Sequence, residues 1–166
     1  MLRSSEGMDV RNALKKQHHA ALAMLRECVE VCPDEIWVSG SHPRTFWRIA
    51  YHAAAYVHLY LFENLEAFEP WTKHRLDCTY LEGDVEVAEA YTRSEMIECL
   101  AMIESEIDRR IDGLDFDAEH CGFTWYPAVS RVELMVLSLR HLHGHIGQLS
   151  EILIANGIDT EWKGTV

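Results

Sequence analysis

Four long segments of the chain place apolar residues at the three- and four-residue spacing of an amphipathic α-helix. The predicted helices extend from about Asp9 to Val31, Pro43 to Phe68, Arg93 to Ile111 and Arg131 to Ala155. No segment shows the alternation of a half-buried strand, and there is no tandem repeat. Four such helices bury their apolar stripes against one another. The pattern therefore predicts an all-α four-helix bundle, with residues 1–166 as a single domain.

Polar residues at the predicted helix starts are typical capping groups. Thr92 with Glu95 and Ser130 with Glu133 have the spacing of capping boxes, in which hydroxyl and carboxylate each accept a backbone amide. Asp9 is the expected N-cap of the first helix. These residues predict where three of the four helices begin.

The second predicted helix takes Ser41 as its N-cap and Pro43 in its first turn, where a missing N–H costs no hydrogen bond. Pro70 ends it. Residues 69–91 then show no clear periodic spacing of apolar residues. The segment is also long for a connection between neighbouring helices. We expect this segment to cross the bundle, with a short helical turn around residues 85–90. Residues 34–40 and 115–129 are predicted loops.

The charge and composition of the chain exclude several kinds of partner. Fifteen Lys and Arg residues face 27 Asp and Glu residues, which gives a net charge of −12. Such a surface repels phosphate backbones and anionic lipids, so we expect neither nucleic acid nor a membrane as partner. Five cysteines without a CxxC pair, and no apolar signal region in residues 1–7, predict reduced thiols and a cytoplasmic location.

Two histidines of the fourth predicted helix point to a metal site. His141 and His145 are four residues apart, so their rings leave the same helix face about 6 Å apart. That face is predicted to be buried, since it also carries Leu134, Leu137, Gln148 and Ile152. Buried imidazoles need hydrogen-bond partners or a shared metal, because an unpaired buried polar group costs about 1–3 kcal/mol.

The best third ligand is His52, on the apolar stripe of the second helix beside the small residues Ala53 and Ala55.

The other seven histidines are predicted to be structural or exposed. His143 is turned away from His141, and His58 lies off the stripe that carries His52. The remaining five are predicted on an exposed face of the first helix or in loops: His18, His19, His42, His74 and His120.

Three neutral imidazoles suit Zn²⁺, Ni²⁺ or a similar ion, with coordination positions left for water or substrate. The alternative is three core histidines that are hydrogen-bonded separately. Gln148, one turn after His145, and Tyr56, one turn after His52, are candidates to support the ligands or line a pocket. HExxH, Glu-x-x-His and Gly-rich phosphate-loop motifs are absent.

The histidine context resembles the DinB-like superfamily. The residues concerned are His52, at the end of Trp-Arg-Ile-Ala-Tyr-His, and a His-x3-His-x-Gly-Gln run over residues 141–148. The resemblance covers nearly the whole chain and implies an up-down-down-up bundle, which the long connection would permit. It also implies Zn²⁺ or Ni²⁺ bound by His52, His141 and His145, and a homodimer. Relatives include transferases and isomerases that use small thiols such as bacillithiol or mycothiol.

The function expected from these features is a metal-dependent transferase that acts with a low-molecular-weight thiol on a small-molecule substrate. A metal with an open position can lower the pKa of a bound thiol, which makes thiolate available near neutral pH. Two alternatives remain open. One is a metal-dependent hydrolase with bound water as the nucleophile. The other is a non-catalytic stress protein that binds a metal or a small ligand.

Overall fold

The computed structural model describes residues 9–87 and 89–166, and the regular secondary structure of these residues is helical, with no strands. Its helices are α1 (Val10–Val31), α2 (Asp34–Trp37), α3 (Phe46–Tyr60), α4 (Arg93–Gly113) and α5 (Arg131–Ala155), with a 3₁₀ turn at Leu76–Thr79. The all-α prediction is confirmed for these residues. None of their helices combines the length and the apolar character that crossing a lipid bilayer requires.

The four long helices bury a shared hydrophobic core. α1 packs mainly against α4 and α5, and α3 packs mainly against α5. The stripe of α4 that faces this core is fully buried and includes Met96, Leu100, Ile103 and Ile107. Burial of each such side chain stabilises the fold by about 1.5–3 kcal/mol, so packing rather than helix propensity holds the helices in place.

The capping predictions for three helices are confirmed. The Asp9 side chain accepts a backbone amide from the first turn of α1. Complete capping boxes are formed by Thr92 with Glu95 at α4 and by Ser130 with Glu133 at α5. Local sequence alone therefore determines where these helices begin.

The prediction for the second helix was wrong at its start. α3 begins at Phe46 rather than Pro43, and Thr45 takes the N-cap position in place of Ser41. The residues before it form a turn, in which the amide of Arg44 donates to the carbonyl of Ser41 at 2.7 Å. A helix with Ser41 as its N-cap would need the carbonyl of Ser41 for its own first hydrogen bond. In the turn, that carbonyl is already bonded to the amide of Arg44.

The same helix also ends several residues before its predicted end, at Tyr60. The buried guanidinium of Arg131, from the first turn of α5, donates to the backbone carbonyls of Phe62 and Glu63. Gly122 lies against the same segment, with a φ of +86° and no room for a Cβ beside the carbonyl oxygen of Glu63. Long-range contacts therefore hold the chain in a non-helical path where its apolar pattern continues.

Residues 61–92 connect α3 to α4 and contain the 3₁₀ turn Leu76–Thr79. The helical turn expected around residues 85–90 is not formed by the described residues of that stretch. The short helix α2 was missed because four residues are too few to show a period. Its Trp37 is buried, and the indole N–H donates to the carbonyl of Tyr91 at 2.7 Å.

Candidate metal centre

Three histidines from two helices meet at the edge of the core. His52 of α3 and His141 and His145 of α5 each offer a ring nitrogen, and these three atoms lie within 4.8 Å of one another. Nε2 of His141 is 2.9 Å from Nε2 of His52 and 3.1 Å from Nε2 of His145. In a tetrahedral site with metal–nitrogen bonds of about 2.0–2.1 Å, neighbouring nitrogens are about 3.3 Å apart. The predicted triad is thus brought together, and it could hold a metal ion after small ring movements.

The histidine face of α5 flanks the buried stripe instead of forming its centre, contrary to the prediction. His141 and His145 are half-buried, and Gln148 is exposed. The fully buried positions lie on the adjacent face of the helix and include Leu134, Met135, Ser138, Leu142, Leu149 and Leu153. This shift leaves one side of the triad open, as a site that admits a further ligand requires.

Hydrogen bonds determine which nitrogens of two rings are protonated. Nδ1 of His52 lies 2.6 Å from the carbonyl oxygen of Thr79, and Nδ1 of His145 lies 2.9 Å from Oε1 of Gln148. Both oxygens are acceptors, so both Nδ1 atoms donate a proton. Because a neutral imidazole carries one proton, Nε2 of each ring presents a lone pair. Metal-binding histidines are commonly oriented by such a bond from the other ring nitrogen.

His141 Nε2 faces these two lone pairs. A single N–H there could donate well to one of them and only poorly to both. A cation would satisfy all three nitrogens at once. Nδ1 of His141 is buried and has no hydrogen-bond partner among the described residues, so the protein alone leaves this ring incompletely bonded in either tautomer.

Burial keeps the three imidazoles neutral at physiological pH. Desolvation lowers the pKa of His52 to about 3 and that of His141 to about 4. It also lowers the pKa of His145. The positive charge of Arg44 lowers the pKa values of His52 and His145 further. The neutral ring is the form that binds metal, so the site does not need to release protons at pH 7.

A cavity of about 790 Å³ adjoins the triad, and His52 and His141 form part of its wall. Tyr56 also lines it, with its ring centroid 4.8 Å from that of His52 and 5.4 Å from that of His141. The structure thus places Tyr56 in the cavity wall and Gln148 at the outer side of the triad. A ligand in the cavity would lie directly against two of the three histidines.

The other histidines lie outside this group. His18 was predicted to be exposed but is fully buried, because α1 packs against two helices and buries a wide face. Its Nδ1 donates to the backbone carbonyl one turn earlier. His58 is buried with Nε2 3.6 Å from the carboxylate of Glu106. His143 packs beside Trp162, with ring centroids 5.4 Å apart, which agrees with its predicted orientation away from the site.

Parts of the site outside the long helices are not apparent from the sequence. Thr79 contributes a backbone carbonyl, which residue identity cannot reveal. His74 and Trp125 line the cavity from segments predicted as loops, without a role. The available signal was the length of the segment 69–91, because long ordered loops in compact domains often carry function.

The comparisons with known proteins add no further constraint. No model of a known protein family matches the chain, and no curated protein is significantly similar to it.

Proposed function

We propose that this protein is a metal-dependent transferase that uses a small thiol, with Zn²⁺ or Ni²⁺ bound by His52, His141 and His145. The observation that carries the proposal is the convergence of three Nε2 atoms, two of which present lone pairs because Thr79 and Gln148 engage the opposite ring nitrogens. An ion held by three imidazoles keeps coordination positions open and lowers the pKa of a thiol bound there.

The thiol in this proposal is external, because the cysteines of the chain are unsuited to be nucleophiles. All five are buried, and none lines the cavity. Burial raises the pKa of Cys32 and of Cys99 to about 12 and that of Cys78 to about 11. The resemblance of the histidine run to the DinB-like superfamily supports a bacillithiol- or mycothiol-like cofactor.

The proposed reaction is a substitution at an electrophilic carbon. The thiol loses its proton to solvent, its sulphur forms a bond to that carbon, and the bond from carbon to the leaving group breaks. His52 and His141 hold the reacting end at the cavity wall, where Tyr56 packs against both rings. The cavity positions the electrophile and limits access of water.

We further propose that α1, α3, α4 and α5 form a four-helix bundle in up-down-down-up order. The support is the long connection over residues 61–92 and the packing of α1 against both α4 and α5. The family resemblance adds the proposal of a cytoplasmic homodimer. Light scattering during size-exclusion chromatography would test the dimer, and a monomeric mass would contradict it.

Elemental analysis of the purified protein, followed by a conjugation assay, tests the function. We expect about one divalent ion per chain, and thiol-dependent conversion of 1-chloro-2,4-dinitrobenzene in proportion to metal content. His141→Ala should lose both metal and turnover. His143→Ala is the matched control, two residues away on α5 and outside the triad, and it should keep both.

Other outcomes of these assays would overturn the proposal in distinct ways. Equal metal loss in both variants would contradict the assigned ligands. Ester hydrolysis that needs metal but no thiol would indicate a hydrolase. Bound metal with no turnover of either substrate would indicate a binding protein.

A further inference from the structure

The cavity beside the triad is uncharged, although the protein is strongly acidic. A quarter of the residues of the chain are charged, yet none of the sixteen residues that line the cavity is Asp, Glu, Lys or Arg. Six of the sixteen are Phe, Trp or Tyr, compared with 10% aromatic residues in the whole chain. A charged ligand would lose hydration there without meeting an opposite charge on any side chain of the lining. The lining therefore selects against charge and in favour of aromatic or other apolar groups.

Apolar side chains also surround the mouth of the cavity. Leu65, Leu76, Tyr80 and Trp125 all line it and are all exposed to solvent. Exposed apolar groups that gather at one concave site mark a place where a ligand binds. The volume of about 790 Å³ lies within the range of about 300–1,000 Å³ that is typical of small-molecule sites.

His74 supplies a directional polar group in the cavity wall. The Tyr51 hydroxyl oxygen accepts the backbone N–H of Arg75 at 3.3 Å and lies 2.7 Å from Nδ1 of His74. When the hydroxyl donates its proton to Nδ1, the ring carries its own proton on Nε2. Burial lowers the pKa of His74, so the ring is neutral. Nε2 has no partner among the described residues and can donate to a ligand.

We infer that this cavity binds an uncharged aromatic molecule that carries a hydrogen-bond acceptor. Its ring packs against Tyr56 and Trp125, its acceptor bonds to Nε2–H of His74, and one end lies beside His52 and His141. The identification of this molecule as the electrophilic substrate rests on the proposed thiol transfer. Binding itself requires neither a thiol nor turnover.

Three naphthalenes with the same ring system test the inference: 2-acetylnaphthalene, 2-ethylnaphthalene and naphthalene-2-sulfonate. Binding is followed by titration calorimetry on the metal-free protein, because a divalent ion at the triad would itself attract the sulfonate. It is repeated for the two uncharged compounds on the metal-loaded protein. We expect the acetyl compound to bind about fivefold more tightly than the ethyl compound, because one neutral hydrogen bond contributes about 1 kcal/mol. The sulfonate should bind at least about tenfold more weakly than either. Equal affinity for the sulfonate and the acetyl compound would overturn the inference.

Two matched variants locate the binding site. Leu65→Glu places a charge at the mouth, whereas Val136→Glu places it on α5 at a residue outside the lining, and the two native side chains are 57% and 56% exposed. The first should weaken binding of 2-acetylnaphthalene at least about tenfold, and the second should leave it unchanged. An equal effect of both, or none from Leu65→Glu, would contradict the site.

His74→Phe tests the polar contact separately. It should remove the preference for the acetyl over the ethyl compound while affinity for the ethyl compound, which also reports folding, is retained. A preserved preference would refute the role of His74. Metal content and thiol-dependent turnover are measured on the same samples. Naphthalene binding without turnover would overturn the proposed transferase and leave this inference standing. Turnover without naphthalene binding would overturn this inference and leave the proposed transferase standing.

Discussion

Buried His18 should make the folded protein sensitive to mild acid. Its Nδ1 donates to the carbonyl of Leu14 at 2.8 Å, and its Nε2 is buried with no partner among the described residues. Protonation would place a charge in the apolar interior. Desolvation, with a smaller contribution from neighbouring His19, lowers the pKa of His18 to about 4.

The direction and size of the effect follow from this pKa. The unfolded chain has the higher value, 6.5, so it binds the proton first as pH falls. The contribution of neutral His18 to stability is complete above pH 6.5 and is lost as pH falls towards 4. At about 1.4 kcal/mol per pKa unit, the fall from 6.5 to about 4 corresponds to about 3 kcal/mol. About 2 kcal/mol of this would be lost between pH 7 and pH 5.

Urea denaturation of the wild-type protein and His18→Gln at pH 7 and pH 5 measures this loss. Between the two pH values, the free energy of unfolding should fall by about 2 kcal/mol more in the wild type than in the variant. Titration of other groups affects both proteins and cancels in the comparison. His143→Gln, at a half-buried position beside Trp162, should behave like the wild type. If His18→Gln kept the full pH dependence of the wild type, the reasoning about His18 would be refuted.

Two further substitutions test contacts that support the site. Gln148→Leu removes the acceptor for Nδ1 of His145 and should weaken metal binding about tenfold in chelator competition. The effect is not larger because Gln148 is exposed and water can partly replace it as acceptor. Unchanged metal affinity would contradict this role of Gln148. Arg131→Met removes a buried donor to two carbonyls and should lower the free energy of unfolding in urea by about 3 kcal/mol. The exposed change Arg109→Met should cost less than about 1 kcal/mol, and equal costs would argue against the buried contacts.

The histidine triad could be predicted from sequence because helix geometry fixes the direction of its side chains. His141 and His145 must share a face, and His52 lies on the stripe that packs against α5. The exact rotation of α5 could not be predicted in the same way. Its apolar positions extend around much of the helix, so they do not single out one buried face.

The cavity was beyond sequence analysis because tertiary contacts build it. The chain leaves the helical path after Tyr60 where Arg131, distant in sequence, bonds to the carbonyls of Phe62 and Glu63. No local sequence pattern predicts that contact. The wall residues that follow, such as His74, gain their positions from it and from bonds such as that of the Tyr51 hydroxyl.

The three histidines of the triad lie on helices, whereas more than half of the cavity lining comes from the stretches 65–80 and 125–126. Insertions and exchanges are tolerated best in such non-repetitive surface segments. Diversification outside Thr79, whose carbonyl orients His52, can therefore alter what the cavity accepts while the imidazole geometry is inherited unchanged. A mutational library confined to these two stretches would be the natural starting point for redirecting the specificity of this scaffold.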